Sequence, residues 1–152
     1  MNPTVYLETT VIGYLAMRVS GILRVAANQE TTRDWWDNHR QRFELLVSRF
    51  VVDECSDGDP VAVQERLVCL EGISLLQISD EVNALAESLL AGVPLPDKAR
   101  IDALHISVAA VNGVQYILTW NCKHIANPAM RPRIERLCRE MGYEPPVICT
   151  PQ

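Results

Sequence analysis

Four oxygen-bearing side chains stand where a reaction centre could form: the carboxylates of Glu8, Glu54 and Asp102, and the carboxamide of Asn121. Short β-rich runs alternate with helical stretches. In that reading Glu8 ends the first strand (TVYLE), Glu54 ends the second (RFVVDE) and Asn121 follows the fourth (QYILTW), while Asp102 lies in the first turn of the helix KARIDALHISVAAVNG that feeds the fourth strand. Taken singly, each has an ordinary explanation: a helix cap, a surface acid, complementarity to a helix dipole, a turn former. Placed together at one edge of a sheet they form a cleft of like charges, which is tolerable mainly when a cation neutralises it. Oxygen donors predict a hard divalent ion, Mg²⁺ or Mn²⁺, and the histidine and cysteine spacings offer no tetrahedral zinc set. Such an ion supports attack of water on a phosphodiester.

Neighbouring residues extend the same chemistry. The hydroxyls of Thr9 and Thr119 flank the acidic strand ends and are candidates for phosphate or metal-water contacts, with capping and strand propensity as the alternative. Lys123 and Trp120 beside the fourth strand suit a single-stranded nucleic acid through charge and stacking, with core packing equally open to Trp120. His105 follows Asp102 by three residues, and His124 follows Asn121 by three. Both invite a general-acid role, against the plainer one of a packed or loop histidine. Asp53 and Asp97 are secondary candidates for supplying charge, with a plain loop role as the alternative. Cys122 lacks the base and oxyanion pocket that a catalytic thiol needs. No P-loop, dinucleotide-binding or serine-nucleophile glycine motif occurs.

The elements that must position these groups read as one α/β domain over residues 1–152. After the first strand, TTVIGYLAM reads as a helix, and a long helix is expected from about Asn28 to Ser48. RFVVDE, SLLQI, QYILTW and PPVICT complete five strands, with helices at VAVQERLVCL, DEVNALAESLLA, KARIDALHISVAAVNG and RPRIERLCREMG. This alternation selects a mostly parallel sheet with helices on both faces and a site at the strands' carboxyl ends. A hydrophobic content of 48% is enough for one core, and 22% charged residues is ordinary for a globular chain. A net charge of −5 excludes binding to nucleic acid through a global positive field, so any such contact must be local. No apolar window reaches the roughly 18 residues of a membrane span and no leader pattern opens the chain, so a cytoplasmic location and no membrane contact are expected. Five widely spaced cysteines without a C-x-x-C pair read as reduced thiols.

The segments YLETT, VVDE and DALHISVAAVNGVQYILTWNCKHI, in that order and spacing, resemble the PIN-domain family, and within it the VapC-type toxins, over nearly the whole chain. The resemblance implies a three-layer α/β/α fold with strand order 3-2-1-4-5, a Mg²⁺- or Mn²⁺-dependent endoribonuclease, homodimers held by early helices and, for the toxins, a cognate antitoxin partner. Carried over, Glu8, Glu54, Asp102 and Asn121 match the family's four acidic metal and catalytic positions. Glu8 replaces a usual aspartate, and the neutral Asn121 replaces another, which weakens the case for a second metal. Two readings therefore stand: an RNA-hydrolysing toxin of a type II toxin-antitoxin pair, and a catalytically weak or inactive PIN-fold module that binds RNA or protein.

Overall fold

The computed structural model describes residues 2–92 and 99–152. The chain opens with strand β1 (Thr4–Leu7) and runs directly into helix α1 (Thr9–Ala16) and then α2 (Leu23–Asn38). A 3₁₀ turn (Arg40–Arg42) leads to β2 (Glu44–Val47), followed by α3 (Arg49–Cys55), α4 (Pro60–Leu70) and β3 (Ser74–Leu75). Then come α5 (Asp80–Gly92), α6 (Arg100–Val111), β4 (Tyr116–Leu118), α7 (Arg131–Glu140) and β5 (Val147–Cys149). The five strands form one all-parallel sheet in the order β3-β2-β1-β4-β5, the order that the resemblance implies.

One expectation fails in an informative way. The long helix expected to Ser48 stops at Asn38, the second strand is Glu44–Val47, and RFVVDE, expected as that strand, is the body of helix α3. FELLV and RFVVDE are both short apolar runs, and periodicity over so few residues does not separate a strand from a helix. Chain order decides: Leu45 and Leu46 pair with Val5 and Tyr6 of the central strand, so the run after Ser48 must leave the sheet. Glu54 consequently sits in the last turn of a helix that follows β2, rather than at a strand end. The remaining strands are shorter than the apolar runs that signalled them.

Local chemistry explains the turns. Asp59 caps α4, accepting from the Ala62 amide at 3.1 Å, with Pro60 at the first helical position where its missing N–H costs nothing. Gly58, at φ +106°, makes the preceding turn possible. α6 is closed by Gly113 at φ +70°.

The core is continuous around β1, whose Val5, Tyr6 and Leu7 are all buried. Successive residues of a strand point to opposite faces. Accordingly Val5 shares a pocket with Trp35 of α2 and Phe43, while Tyr6 meets Ser48 and His105 of α6. Trp35 stacks on Phe43 at 5.8 Å between ring centroids, giving this aromatic pair a packing role. On the other flank, α5 buries Val82, Leu85, Ala86 and Leu89, and it packs against α6 and α7. No described helix is long and apolar enough to cross a membrane. Because Leu85 is fully buried, Leu85→Ala is expected to cost about 2–5 kcal/mol, read as a lower midpoint in urea unfolding without a new transition.

Candidate metal centre

Glu8 occupies the junction where β1 becomes α1, and its backbone extends the ladder by donating to the Leu118 carbonyl at 3.1 Å. The residue is only 3% exposed. The carboxylate acts as the N-cap of α1, accepting from the Thr10 amide at 3.2 Å and from the Thr10 hydroxyl, and it also accepts from the Thr119 hydroxyl at 2.6 Å. All of these bonds fall on Oε1. Oε2 is left as an acceptor held in place by its neighbours' work on the other oxygen.

Glu54 reaches the same edge from the end of α3. Its Oε1 accepts from the Thr9 hydroxyl at 2.5 Å and lies 2.7 Å from Nε2 of His105. Burial opposes its charge, but the hydrogen bonds from His105 and Thr9 and the charge interaction with His105 outweigh that, holding its carboxyl below the usual glutamate range. His105 is fully buried, and behind it Nδ1 lies 2.6 Å from the Tyr6 hydroxyl, itself 2.8 Å from the Ser48 hydroxyl. Burial drives the Tyr6 hydroxyl far above its ordinary pKa; the Ser48 hydrogen bond opposes the rise, and the charges of Glu8 and Glu54 add to it. One ligand atom each from Glu8, Glu54 and His105 can be chosen so that all three lie within 4.8 Å of one another.

Asp102 and Asn121 adjoin this group without belonging to it. Asp102 lies in the first turn of α6, one helical turn before His105, and is 8% exposed. Its Oδ1 accepts from the Asn121 carboxamide at 3.1 Å, and its Oδ2 lies 2.8 Å from Nδ1 of His124. The Asn121 oxygen in turn accepts from the His124 amide at 3.1 Å, and the Asn121 amide donates to Thr119 at 2.9 Å. A chain of contacts thus runs from Glu8 through Thr119 and Asn121 to Asp102 and His124.

The other expected residues fall into place around these two clusters. Thr9 and Thr119 both spend their hydroxyls on carboxylates, as positioning groups for Glu54 and Glu8. Lys123 is exposed in the loop after β4. The Trp120 indole donates to the Thr32 hydroxyl at 2.8 Å and meets Tyr14 edge-on, so it is committed to packing α1 and α2. Asp53 pairs with Arg49 at 2.9 Å on the exposed side of α3, and Asp97 lies outside the described residues. Two participants carried a weaker signal in the sequence. His105 was visible only as a residue three after Asp102. Arg66 of α4, which lines a cavity of about 380 Å³ with Glu8, Thr9, Thr10, Gly13, Glu54 and Asp57, carried none.

The donor chemistry fits a divalent cation. Among the described residues no lysine or arginine forms an ion pair with Glu8, Glu54 or Asp102; Glu54 and Asp102 each pair with a histidine. The guanidinium of Arg66, which lines the same cavity, donates instead to the carbonyls of Cys55 and Asp57. Buried negative charge with no strong cationic partner is what an ion would relieve. No protein-family model matches this chain, and no curated protein matches it.

Two outcomes follow for stability in EDTA. A carboxyl whose folded pKa is lowered adds stability above its unfolded value and loses it as the pH falls through the lowered one. The advantage of wild type over Glu54→Gln in thermal unfolding is therefore full at neutral pH and shrinks as the pH drops below about 4.5, by a modest amount because the side chain is 36% exposed. Asn121→Asp sets a carboxylate against Asp102 where a donor stood, so it should cost about 1–3 kcal/mol in EDTA and regain stability on adding Mn²⁺.

Proposed function

We propose that this chain is a divalent-cation-dependent ribonuclease of the PIN type, with Glu8, Glu54 and His105 as the cation's ligands and Asp102 beside them. The observation that carries the reading is the convergence of those three side chains from β1, α3 and α6 at the carboxyl edge of a parallel sheet in the order 3-2-1-4-5. In open α/β sheets that edge is where ligands bind. A cation held there supplies Lewis acidity, lowering the cost of a charged nucleophile and of charge on the phosphodiester oxygens.

The chain's own groups do the rest. Thr9, Thr10 and Thr119 fix the carboxylate orientations before any substrate arrives, which removes reorganisation from the reaction step. Asp102 orients His124 through Nδ1 and leaves its Nε2 for the substrate side. Arg66 and Lys123 are the local positive charges that a phosphate backbone needs on a chain of net charge −5. The resemblance of YLETT, VVDE and DALHISVAAVNGVQYILTWNCKHI to the VapC-type toxins supports the narrower reading of a toxin paired with an antitoxin and acting as a homodimer, with Mg²⁺ or Mn²⁺ as its ion.

The engagement of Asp102 by both Asn121 and His124 favours a second reading, a weakly active or inactive module that binds RNA or protein. Purified protein incubated with a pool of single-stranded and transfer RNA in Mn²⁺, Mg²⁺ or EDTA separates the two. Cleavage in metal, absent in EDTA and reduced on the order of 10²-fold or more in Glu54→Gln and Asp102→Asn, is expected for the ribonuclease. Folded protein that leaves the pool intact in both metals, yet retains RNA in a filter-binding assay, would identify the binding module.

A further inference from the structure

The histidine in the centre is not an isolated ring. It terminates a fully buried chain, Ser48 Oγ to Tyr6 Oη at 2.8 Å and Tyr6 Oη to His105 Nδ1 at 2.6 Å, and its other nitrogen faces Glu54 at 2.7 Å. Phe50 packs edge-on against the ring, with centroids 6.3 Å apart. These groups come from β1, from the end of β2, and from α3 and α6, so the ring plane is set from several directions and no rotation is needed to bring Nε2 to the carboxylates.

We infer that His105 is a metal ligand, that the Tyr6–Ser48 hydroxyl chain accepts its Nδ1 proton when a cation takes Nε2, and that this nitrogen makes the centre prefer a first-row transition cation to Mg²⁺. The inference rests on the cation centre proposed above and is independent of RNA being the substrate.

Proton accounting supports it. Without a cation, a neutral His105 donates from Nε2 to the Glu54 carboxylate, so Nδ1 must accept, Tyr6 donates to it, and Ser48 donates to Tyr6. For Nε2 to offer its lone pair to a cation the proton must sit on Nδ1, and Nδ1 then needs a buried acceptor. Tyr6 can be that acceptor by turning its own proton to Ser48. A hydroxyl both donates and accepts, so the chain serves either tautomer of His105 by reversing its two hydrogen bonds, with the Ser48 proton turned away from Tyr6 in the second. A backbone carbonyl in Tyr6's place could serve only the second state. Such outer partners fix the tautomer and raise the basicity of ligating histidines.

The cation class follows from the donors. Mg²⁺ demands near-ideal octahedral oxygen coordination and gives up water reluctantly, so a buried imidazole adds little to its binding. Imidazole nitrogen suits the later first-row ions, whose affinities on such sites rise from Mn²⁺ through Co²⁺ to Cu²⁺ and fall again at Zn²⁺. The expectation of an all-oxygen set with Asn121 as its fourth member differs on this point: the Asn121 oxygen is occupied by the His124 amide.

The test uses the intact chain in the absence of RNA, with Mn²⁺, Co²⁺ and Mg²⁺ as probes. Electron spin-echo spectroscopy of bound Mn²⁺ is expected to show modulation from a directly coordinated ¹⁴N, which disappears in His105→Gln. Calorimetric titration is expected to show Co²⁺ bound at least about tenfold more tightly than Mg²⁺, and Tyr6→Phe lowering Co²⁺ affinity by about 10–100-fold while leaving Mg²⁺ unchanged. Circular dichroism melts of the metal-free variants establish that they fold, and the wild-type ¹⁴N signal needs no variant at all. Mn²⁺ bound without nitrogen coupling, no binding of Mn²⁺ by wild type, or an equal loss of Co²⁺ and Mg²⁺ in Tyr6→Phe would each overturn the inference. Nitrogen coupling in a protein that leaves RNA intact would remove the ribonuclease reading and keep this one.

Discussion

A carboxylate buried at the point where the central strand turns into a helix has to be solvated by the protein itself, and much of this molecule is arranged around that demand. Glu8 is 3% exposed, yet it meets no lysine or arginine among the described residues. It is held by the Thr10 amide and hydroxyl in the first turn of α1 and by Thr119 from the end of β4. Those contacts tie the β1–α1 junction to the neighbouring strand: Thr10 also receives the Trp120 amide, and Thr119 the Asn121 amide. Helix capping, sheet closure and assembly of the site are therefore one set of hydrogen bonds. A group so placed is costly to bury and hard to replace.

The same arrangement concentrates charge. Glu8, Glu54 and Asp102 arrive from three different elements, and the sheet edge offers them hydroxyls, an amide side chain and two histidines, but no ion pair with lysine or arginine among the described residues. Hydroxyl, amide and imidazole donors fix the direction of each carboxylate, with no lysine or arginine among the described residues to cancel its charge. This distinguishes the edge from the surface pairs elsewhere, such as Arg100–Glu87 or Arg49–Asp53, where a guanidinium cancels a carboxylate in solvent and contributes little. Orientation without neutralisation is the electrostatic condition for holding a cation.

The two histidines divide the work of the edge. Each meets a carboxylate through one nitrogen, but His105 is enclosed and backed by hydroxyls, whereas His124 sits in a loop with its side chain 19% exposed. The enclosed ring suits a fixed ligand, and the accessible one suits contact with a substrate. Asn121 supports the second of them: its carboxamide spans Asp102 and the His124 amide, a bridge that needs both a donor and an acceptor and that an aspartate could not make. The neutral residue is thus matched to its surroundings.

Much of this was legible in the chain. The alternation of β-rich and helical runs points to a parallel α/β sheet, the resemblance implied its strand order, and Glu8 after a strand and Asp102 at a helix start could be singled out as acids at one edge, whereas Glu54 was placed there on a strand that is a helix. The neutral character of Asn121 is likewise a matter of residue type. What only the tertiary structure decided is which donors converge. RFVVDE is helical because β2 is already complete at Val47, and periodicity over six residues cannot show that. His105 joins Glu8 and Glu54, and Asp102 turns to Asn121 and His124, although both residues lie on one face of α6, three positions apart. Sequence spacing assigns a side chain to a face of its helix. Whether it then meets a carboxylate or a carboxamide depends on how that helix crosses β1, a property of long-range packing that no local pattern encodes.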